Sequence, residues 1–253
     1  MCGDAPIFVT GMPRSGTTFL QHLLSRHPQI AIHGQEPAGV VWASWLQVLL
    51  DGLVAARQSN VALDYAVDHY AGRLDVESTR REFLAFIRHY LVGDDPHPRW
   101  GLKSLRDCRL AAPQILQVWP RARWVVCIRE PFRSIESLRN TFDREELFSV
   151  SELCTMWTET VEFGVTQPQA TLVQIDRLAS EDRLSWVRGL FRFLEEDLVP
   201  EVEQFVAEWP KIHEVATDAE RTFRLSPEER RTVLAEHAAL ANWRVRLGYD
   251  EPV

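Results

Sequence analysis

From Ile7 to Leu20 the chain reads Ile-Phe-Val-Thr-Gly-Met-Pro-Arg-Ser-Gly-Thr-Thr-Phe-Leu, an apolar strand, a short loop bounded by Gly11 and Gly16, then the spacing of a helix. No other segment constrains the fold as much. A strand that feeds a helix through a tight glycine turn is the opening unit of a parallel α/β sheet. The two glycines permit backbone angles closed to other residues, so successive N–H groups can converge on one anion at the positive end of the new helix. Ser15, Thr17 and Thr18 add hydroxyl donors and Arg14 adds a full charge. Glycines and threonines could equally serve a plain turn and a helix cap. Arg, Ser and two Thr crowded into one loop favour the anion site.

Further along, short apolar runs alternate with helical patterns, as expected of one α/β domain, residues 1–253, with a central, mostly parallel sheet flanked by helices. Ile7–Thr10, Gln29–Ile32, Trp100–Lys103, Trp124–Ile128 and Thr171–Ile175 are the expected strands; the fourth, Trp-Val-Val-Cys-Ile, is continuously apolar. Thr79 and Glu82 have capping-box spacing ahead of the apolar face Phe83, Phe86, Ile87, Tyr90 and Leu91. Ser226-Pro227-Glu228-Glu229 opens a terminal helix expected to run to about Arg246. Gly93 to Pro98 reads as a loop.

With 28 basic against 36 acidic residues the net charge is −8, which disfavours loose binding to nucleic acid or heparin-like polyanions. The longest uncharged stretch, Ala38 to Leu50, is too short for a membrane span, and no signal peptide is legible, so a cytoplasmic protein is expected. Cys2, Cys108, Cys127 and Cys154 are far apart and read as reduced, with Cys127 as ordinary core. Neither they nor the eight histidines show zinc-ligand spacing, and no metal site is expected.

The identity of the anion turns on one position. A nucleotide-triphosphate loop reads G-x-x-x-x-G-K-[ST], with the lysine on the β and γ phosphates and the next hydroxyl on Mg²⁺. This chain has Thr17 in place of that lysine, and its cation, Arg14, comes three residues earlier. A sulfuryl group, carrying one negative charge where a terminal phosphoryl carries two, can be transferred with help from Arg, Lys and backbone N–H donors alone.

Pro13-Arg14-Ser15-Gly16-Thr17-Thr18 resembles the 5′-phosphosulfate loop of sulfotransferases that use 3′-phosphoadenosine-5′-phosphosulfate (PAPS), particularly the branch with tyrosylprotein and carbohydrate sulfotransferases. The resemblance implies a P-loop-like sulfotransferase fold, PAPS as co-substrate, and 3′-phosphoadenosine-5′-phosphate (PAP) as product. It also demands a second site, for the 3′-phosphate. Arg129, Pro131 and Ser137 match the family's R-x-P-x-x-x-x-x-S motif, which implies Arg129 and Ser137 as contacts. Arg133 is a second-line candidate, and pairing of Arg129 with a carboxylate is the structural alternative. A weaker likeness extends to Leu172–Leu178 and Trp243–Tyr249.

Transfer to a hydroxyl needs a base and a cation near the leaving oxygen. Gly34-Gln35-Glu36-Pro37 resembles the Gly-Glu-Glu segment that carries the catalytic glutamate of tyrosylprotein sulfotransferases, although Gln35 replaces the first acid. Glu36 is thereby the expected base, and His33 the rival, since an imidazole already titrates near neutral pH. Lys103 resembles the family's lysine beside the transferred group, a role Arg14 could share. Val41, Trp42, Trp45, Leu49 and Leu53 follow at helical spacing, as core or as the wall of a pocket for a small aromatic or lipid-like alcohol. A metabolite kinase and a non-catalytic nucleotide-binding module are the alternatives. The sequence leaves the acceptor and the oligomeric state open.

Overall fold

The structure, a computed structural model, describes residues 5–34, 48, 52, 54–55, 75–93, 97–104, 107–142, 148–179, 182–212 and 223–249. Five strands, β1 (Ile7–Gly11), β2 (Ile30–Gly34), β3 (Arg99–Lys103), β4 (Arg123–Ile128) and β5 (Ala170–Gln174), form one sheet in the order β2-β3-β1-β4-β5. Every neighbouring pair is parallel. Ten α-helices are described: α1 (Thr17–Leu24), α2 (Val76–Val92), α3 (Asp107–Leu110), α4 (Ala112–Val118), α5 (Pro131–Phe142), α6 (Val150–Thr166), α7 (Arg183–Leu194), α8 (Pro200–Ile212), α9 (Pro227–Glu236) and α10 (Ala238–Arg246).

Both sheet faces are covered, which is why the central strands read as unbroken apolar runs. Ile7 and Val9 of β1 and Val125 and Cys127 of β4 pack with Phe19, Leu20, Leu23 and Leu24 of α1 and with α7 and α8. The alternate residues Phe8, Trp124, Val126 and Ile128 point to the other face, into a cluster with Phe132 and Ile135 of α5, Trp157 and Val161 of α6, and Leu240 of α10. Burial of these side chains, each contributing about 1.5–3 kcal/mol, holds the sheet between its two helix layers.

The chain leaves β1 towards β2 and leaves β4 towards β5, so two adjacent strands send their connections in opposite directions. Such a switch point opens a crevice at the strand carboxyl ends. The glycine loop follows β1 and the Arg129 segment follows β4, so both candidate anion motifs emerge at that crevice.

Some expectations shift. The strand expected over 29–32 runs to Gly34, and the last strand ends at Gln174 because Ile175 enters a 3-10 turn, Ile175–Ala179. α2 begins three residues before Thr79: the Asp75 carboxylate accepts the Glu77 N–H as its cap, and Thr79 Oγ1 donates to the Asp75 carbonyl instead. Ser226 and Glu229 form the expected capping box, but the terminal helix breaks at His237, whose φ of −115° and ψ of 71° are not helical. The second piece, α10, thereby turns Leu240 and Arg244 inwards. Among the described residues no helix is long and apolar enough to cross a membrane.

Candidate functional site

β1 pairs with β4 up to Gly11 opposite Cys127, and with β3 such that Val9 lies opposite Lys103. The loop therefore starts level with the last residues of its neighbours. A Cβ on Gly11 would stand 2.4 Å from the Cys127 carbonyl oxygen and 2.8 Å from Ser15 Oγ, so only glycine fits. Gly16, at φ +102°, is the N-cap of α1, and a Cβ there would meet Ile175 Cγ1 at 2.7 Å. Arg14 also adopts a left-handed φ of 67°, rare away from glycine, and its side chain stands exposed.

Several donors of this loop are unspent. Gly16 offers α1 no side-chain cap and no acid sits in its first turn, unlike α6 and α9, each of which carries a capping box. Ser15 is wholly buried, and its Oγ has no hydrogen-bond partner among the described residues. An orphaned hydroxyl beside the first-turn N–H groups of a helix, with Arg14 on the rim, is the donor set an oxyanion takes. Cys127, read from sequence as ordinary core, braces the loop from below: its thiol donates to the Ser15 carbonyl at 2.9 Å. Burial pushes that thiol from an ordinary 9.0 up to about 12, which keeps it a donor.

The second motif lies alongside. Arg14 Nε donates to Ser137 Oγ at 3.4 Å, joining the glycine loop to α5. Arg129 follows β4 directly, two residues beyond the strand partner of Gly11. Its carbonyl accepts Trp157 Nε1–H at 2.9 Å, and its Nε lies 3.7 Å from Asp176 Oδ1. The carboxylate pairing weighed as an alternative for Arg129 is therefore present, in the same place as the motif. Arg133 Nη1 is 3.8 Å from the same oxygen, with its side chain about half exposed.

On the other side of β1, Lys103 is buried at the end of β3, and its Nζ donates to Thr18 Oγ1 at 3.2 Å in the first turn of α1. Thr17 is buried and Thr18 exposed. Ser104 follows, its N–H on the Val9 carbonyl and its buried Oγ without a hydrogen-bond partner among the described residues. His33 is half-buried on β2, opposite Leu102. Glu36 lies outside the described residues, as do Val41, Trp42, Trp45, Leu49 and Leu53. β2 ends at Gly34, opposite Lys103 and two residues before Glu36 in sequence, on the edge that carries the loop.

Four further residues have a place here, none of them given a site role in the sequence analysis. Asp176, in the 3-10 turn after β5, accepts the Glu130 N–H at 2.8 Å and faces both Arg129 and Arg133. The one sequence signal was its position, an acid directly after the apolar run that ends at Ile175. Glu130 and Arg244 form an ion pair, Oε1 to Nε at 3.2 Å. Tyr249 packs nearby, its phenol pushed well above its ordinary range by burial first and by the Asp176 charge second.

The structure brings the glycine loop, Arg129 and Ser137 to one end of the sheet, with Lys103 beside the loop. Comparison with known proteins gives a family for the chain. The model of the "Sulfotransferase family" matches residues 6–183. Nodulation protein NoeE of Sinorhizobium fredii is 30% identical over 66% of this chain and 40% of its own length. Protein-tyrosine sulfotransferase 1 of Danio rerio is 26% identical over 76% of this chain and 53% of its own. The chain thus spans about half the length of these curated relatives. Among solved structures, mouse sulfotransferase SULT7A1 complexed with PAP superposes with a TM-score of 0.54 at 11% identity, covering 98% of this chain and 89% of that one, a likeness of fold.

Proposed function

The chain belongs to the sulfotransferase family, and on that premise we propose that it transfers a sulfuryl group from PAPS to a hydroxyl of a small acceptor, releasing PAP. The observation that carries this reading is the contact between Arg14 and Ser137, because it brings together two motifs that only a bisphosphorylated donor needs at once. Mouse SULT7A1, of the same fold, is a PAP complex.

In this reading the loop N–H groups, Ser15, Gly16, Thr17 and Thr18 cradle the 5′ end, and Arg129 and Ser137 take the 3′-phosphate. The donor supplies an activated sulfuryl group. Arg14 and Lys103 offset the charge on that group as it moves, and the buried setting of Lys103 raises the worth of its charge. Glu36 accepts the acceptor's proton, with His33 on the preceding strand as the second candidate. The acceptor is a small hydroxylated molecule, aromatic or lipid-like in keeping with the tryptophan-bearing segment after Glu36. The whole chain acts as one catalytic domain, and its free, buried Cys127 and Cys154 fit a cytoplasmic setting.

Calorimetric titration with PAP in the absence of magnesium tests the proposal. Micromolar or tighter binding is expected; no binding, or binding of ATP with magnesium in its place, would sink it. Screening aromatic and lipid-like alcohols for PAP release then identifies the acceptor. With it, Glu36→Gln should lower turnover by about 10²-fold or more and spare PAP affinity. Undiminished turnover in that variant, with loss in His33→Gln, would hand the base role to His33. Binding without turnover for any acceptor would favour a non-catalytic module.

A further inference from the structure

The turn that carries Arg129 also carries two carboxylates. Glu130 lies between the two arginines in sequence, and its Oε2 accepts the Arg133 N–H at 2.8 Å. Asp176 Oδ1 stands 3.7 Å from Arg129 and 3.8 Å from Arg133, while its Oδ2 takes the Glu130 N–H at 2.8 Å. The two carboxylates are set against the two arginines of this turn, and each competes with a phosphate for them. Arg244 changes the balance. It comes from α10, beyond residue 183 where the family match ends, and reaches Glu130 Oε1 at 3.2 Å. The Arg244 side chain is 11% exposed and that of Glu130 15%, and the Arg244 guanidinium lies over the Phe132 ring at 5.6 Å. Arg230, the next cation on the C-terminal helices, is committed elsewhere, to the buried Glu136 at 2.7 Å.

We infer that Arg244 is a positioning residue for the 3′-phosphate site: it takes up the Glu130 carboxylate, one of the two acids set against Arg129 and Arg133, so that these arginines can serve a phosphate. The inference rests on the proposed reading of the Arg129–Ser137 turn. The end of α10 is built to keep Arg244 in place. The Arg244 carbonyl accepts the Tyr249 N–H at 3.0 Å across the left-handed Gly248, and the Leu247 carbonyl accepts Gln174 Nε2–H and Arg177 Nη2–H at 2.8 and 3.1 Å. The C-terminal helix is thereby tied to β5 and to the 3-10 turn that carries Asp176.

Affinity for PAP, measured against AMP, which lacks the 3′-phosphate, separates this role from a general one in stability. Both ligands are titrated calorimetrically into the full chain. The wild type should prefer PAP. Arg244→Met should weaken PAP at least about tenfold and AMP less than twofold, because Glu130 is then free to compete for Arg129 and Arg133. Glu130→Gln in the same chain should restore the preference, since the competing carboxylate is gone, and Arg244→Lys should keep most of it. An unchanged PAP-to-AMP ratio in Arg244→Met, or a double variant as poor as the single one, overturns the inference. Should Arg244→Met fail to fold, the Glu130→Gln/Arg244→Met protein carries the test: a preference within threefold of wild type supports the role, and a tenfold loss refutes it. A wild type that binds PAP and AMP alike refutes the 3′-phosphate reading itself, and the role of Arg244 with it.

Discussion

Arg14 Nε lies 3.4 Å from Ser137 Oγ, a contact between residues 123 apart in sequence that joins the turn after β1 to the helix after β4. Parallel pairing of β1 with β4 explains it. Both strands end at the same level, so whatever follows each of them meets at the crevice between their diverging connections. A sulfotransferase needs that coincidence, since its donor carries phosphate at two positions of one ribonucleoside.

Ser137→Ala is expected to weaken PAP about tenfold while AMP binding changes little, the cost of one hydrogen bond to a charged group. The pair of titrations checks it. Equal losses for both ligands would show that Ser137 serves the loop, through Arg14, and not the 3′-phosphate.

Lys103 stands at the other side of the loop, with its Nζ on Thr18 Oγ1. If it serves the transferring group, Lys103→Met should weaken PAPS about tenfold relative to wild type and PAP by much less, because only PAPS carries the sulfuryl group. Competition binding with the two nucleotides reads the difference. Parallel losses would assign the lysine to the 5′-phosphate.

The glycine loop, the sheet and the second motif were legible in sequence because each is written locally: apolar runs between turn residues, and a glycine-bounded segment with its own donors. The brace beneath the loop was not. Cys127 reads as one more apolar residue of β4, and only parallel pairing with β1 sets its thiol under the Ser15 carbonyl. Asp176 and Arg244 escaped for the same reason, their partners being 43 or more positions away. The break at His237 had no glycine or proline to announce it, and burial of Leu240 and Arg244 overrides the helical continuity of the sequence. Helix α2 began early because Asp75 competes with Thr79 as a cap, and an aspartate one turn upstream does that work as well.

Gly16→Ala should destabilise the protein by about 1–3 kcal/mol from the left-handed backbone alone, with a further loss from the clash at 2.7 Å with Ile175. Urea denaturation measures the sum. Trimming the neighbour, as Ile175→Ala, should recover the steric part when combined with Gly16→Ala, so the two substitutions together should cost less than the sum of each alone. Strict additivity would mean that Gly16 does not press on Ile175.

Alkaline stability follows from the buried thiols. Cys127 and Cys154 are both wholly buried, and burial pushes each from an ordinary 9.0 up to about 12. Below pH 9 the thiol is protonated in the folded and the unfolded chain alike, so its full contribution is present and independent of pH. Between pH 9 and about 12 only the unfolded chain ionises. Unfolding then releases a proton from each thiol, and stability falls by roughly 1.4 kcal/mol per pH unit per cysteine. Tyr249, also raised by burial, joins from its ordinary 10.0 upwards, so the interval from pH 9 to 10 lies below its contribution. Urea midpoints across that interval should decline in the wild type and decline less steeply in Cys154→Ala, the difference in slope being the share of Cys154. Identical slopes in the two proteins would mean that Cys154 ionises freely in the folded state, as no buried thiol should.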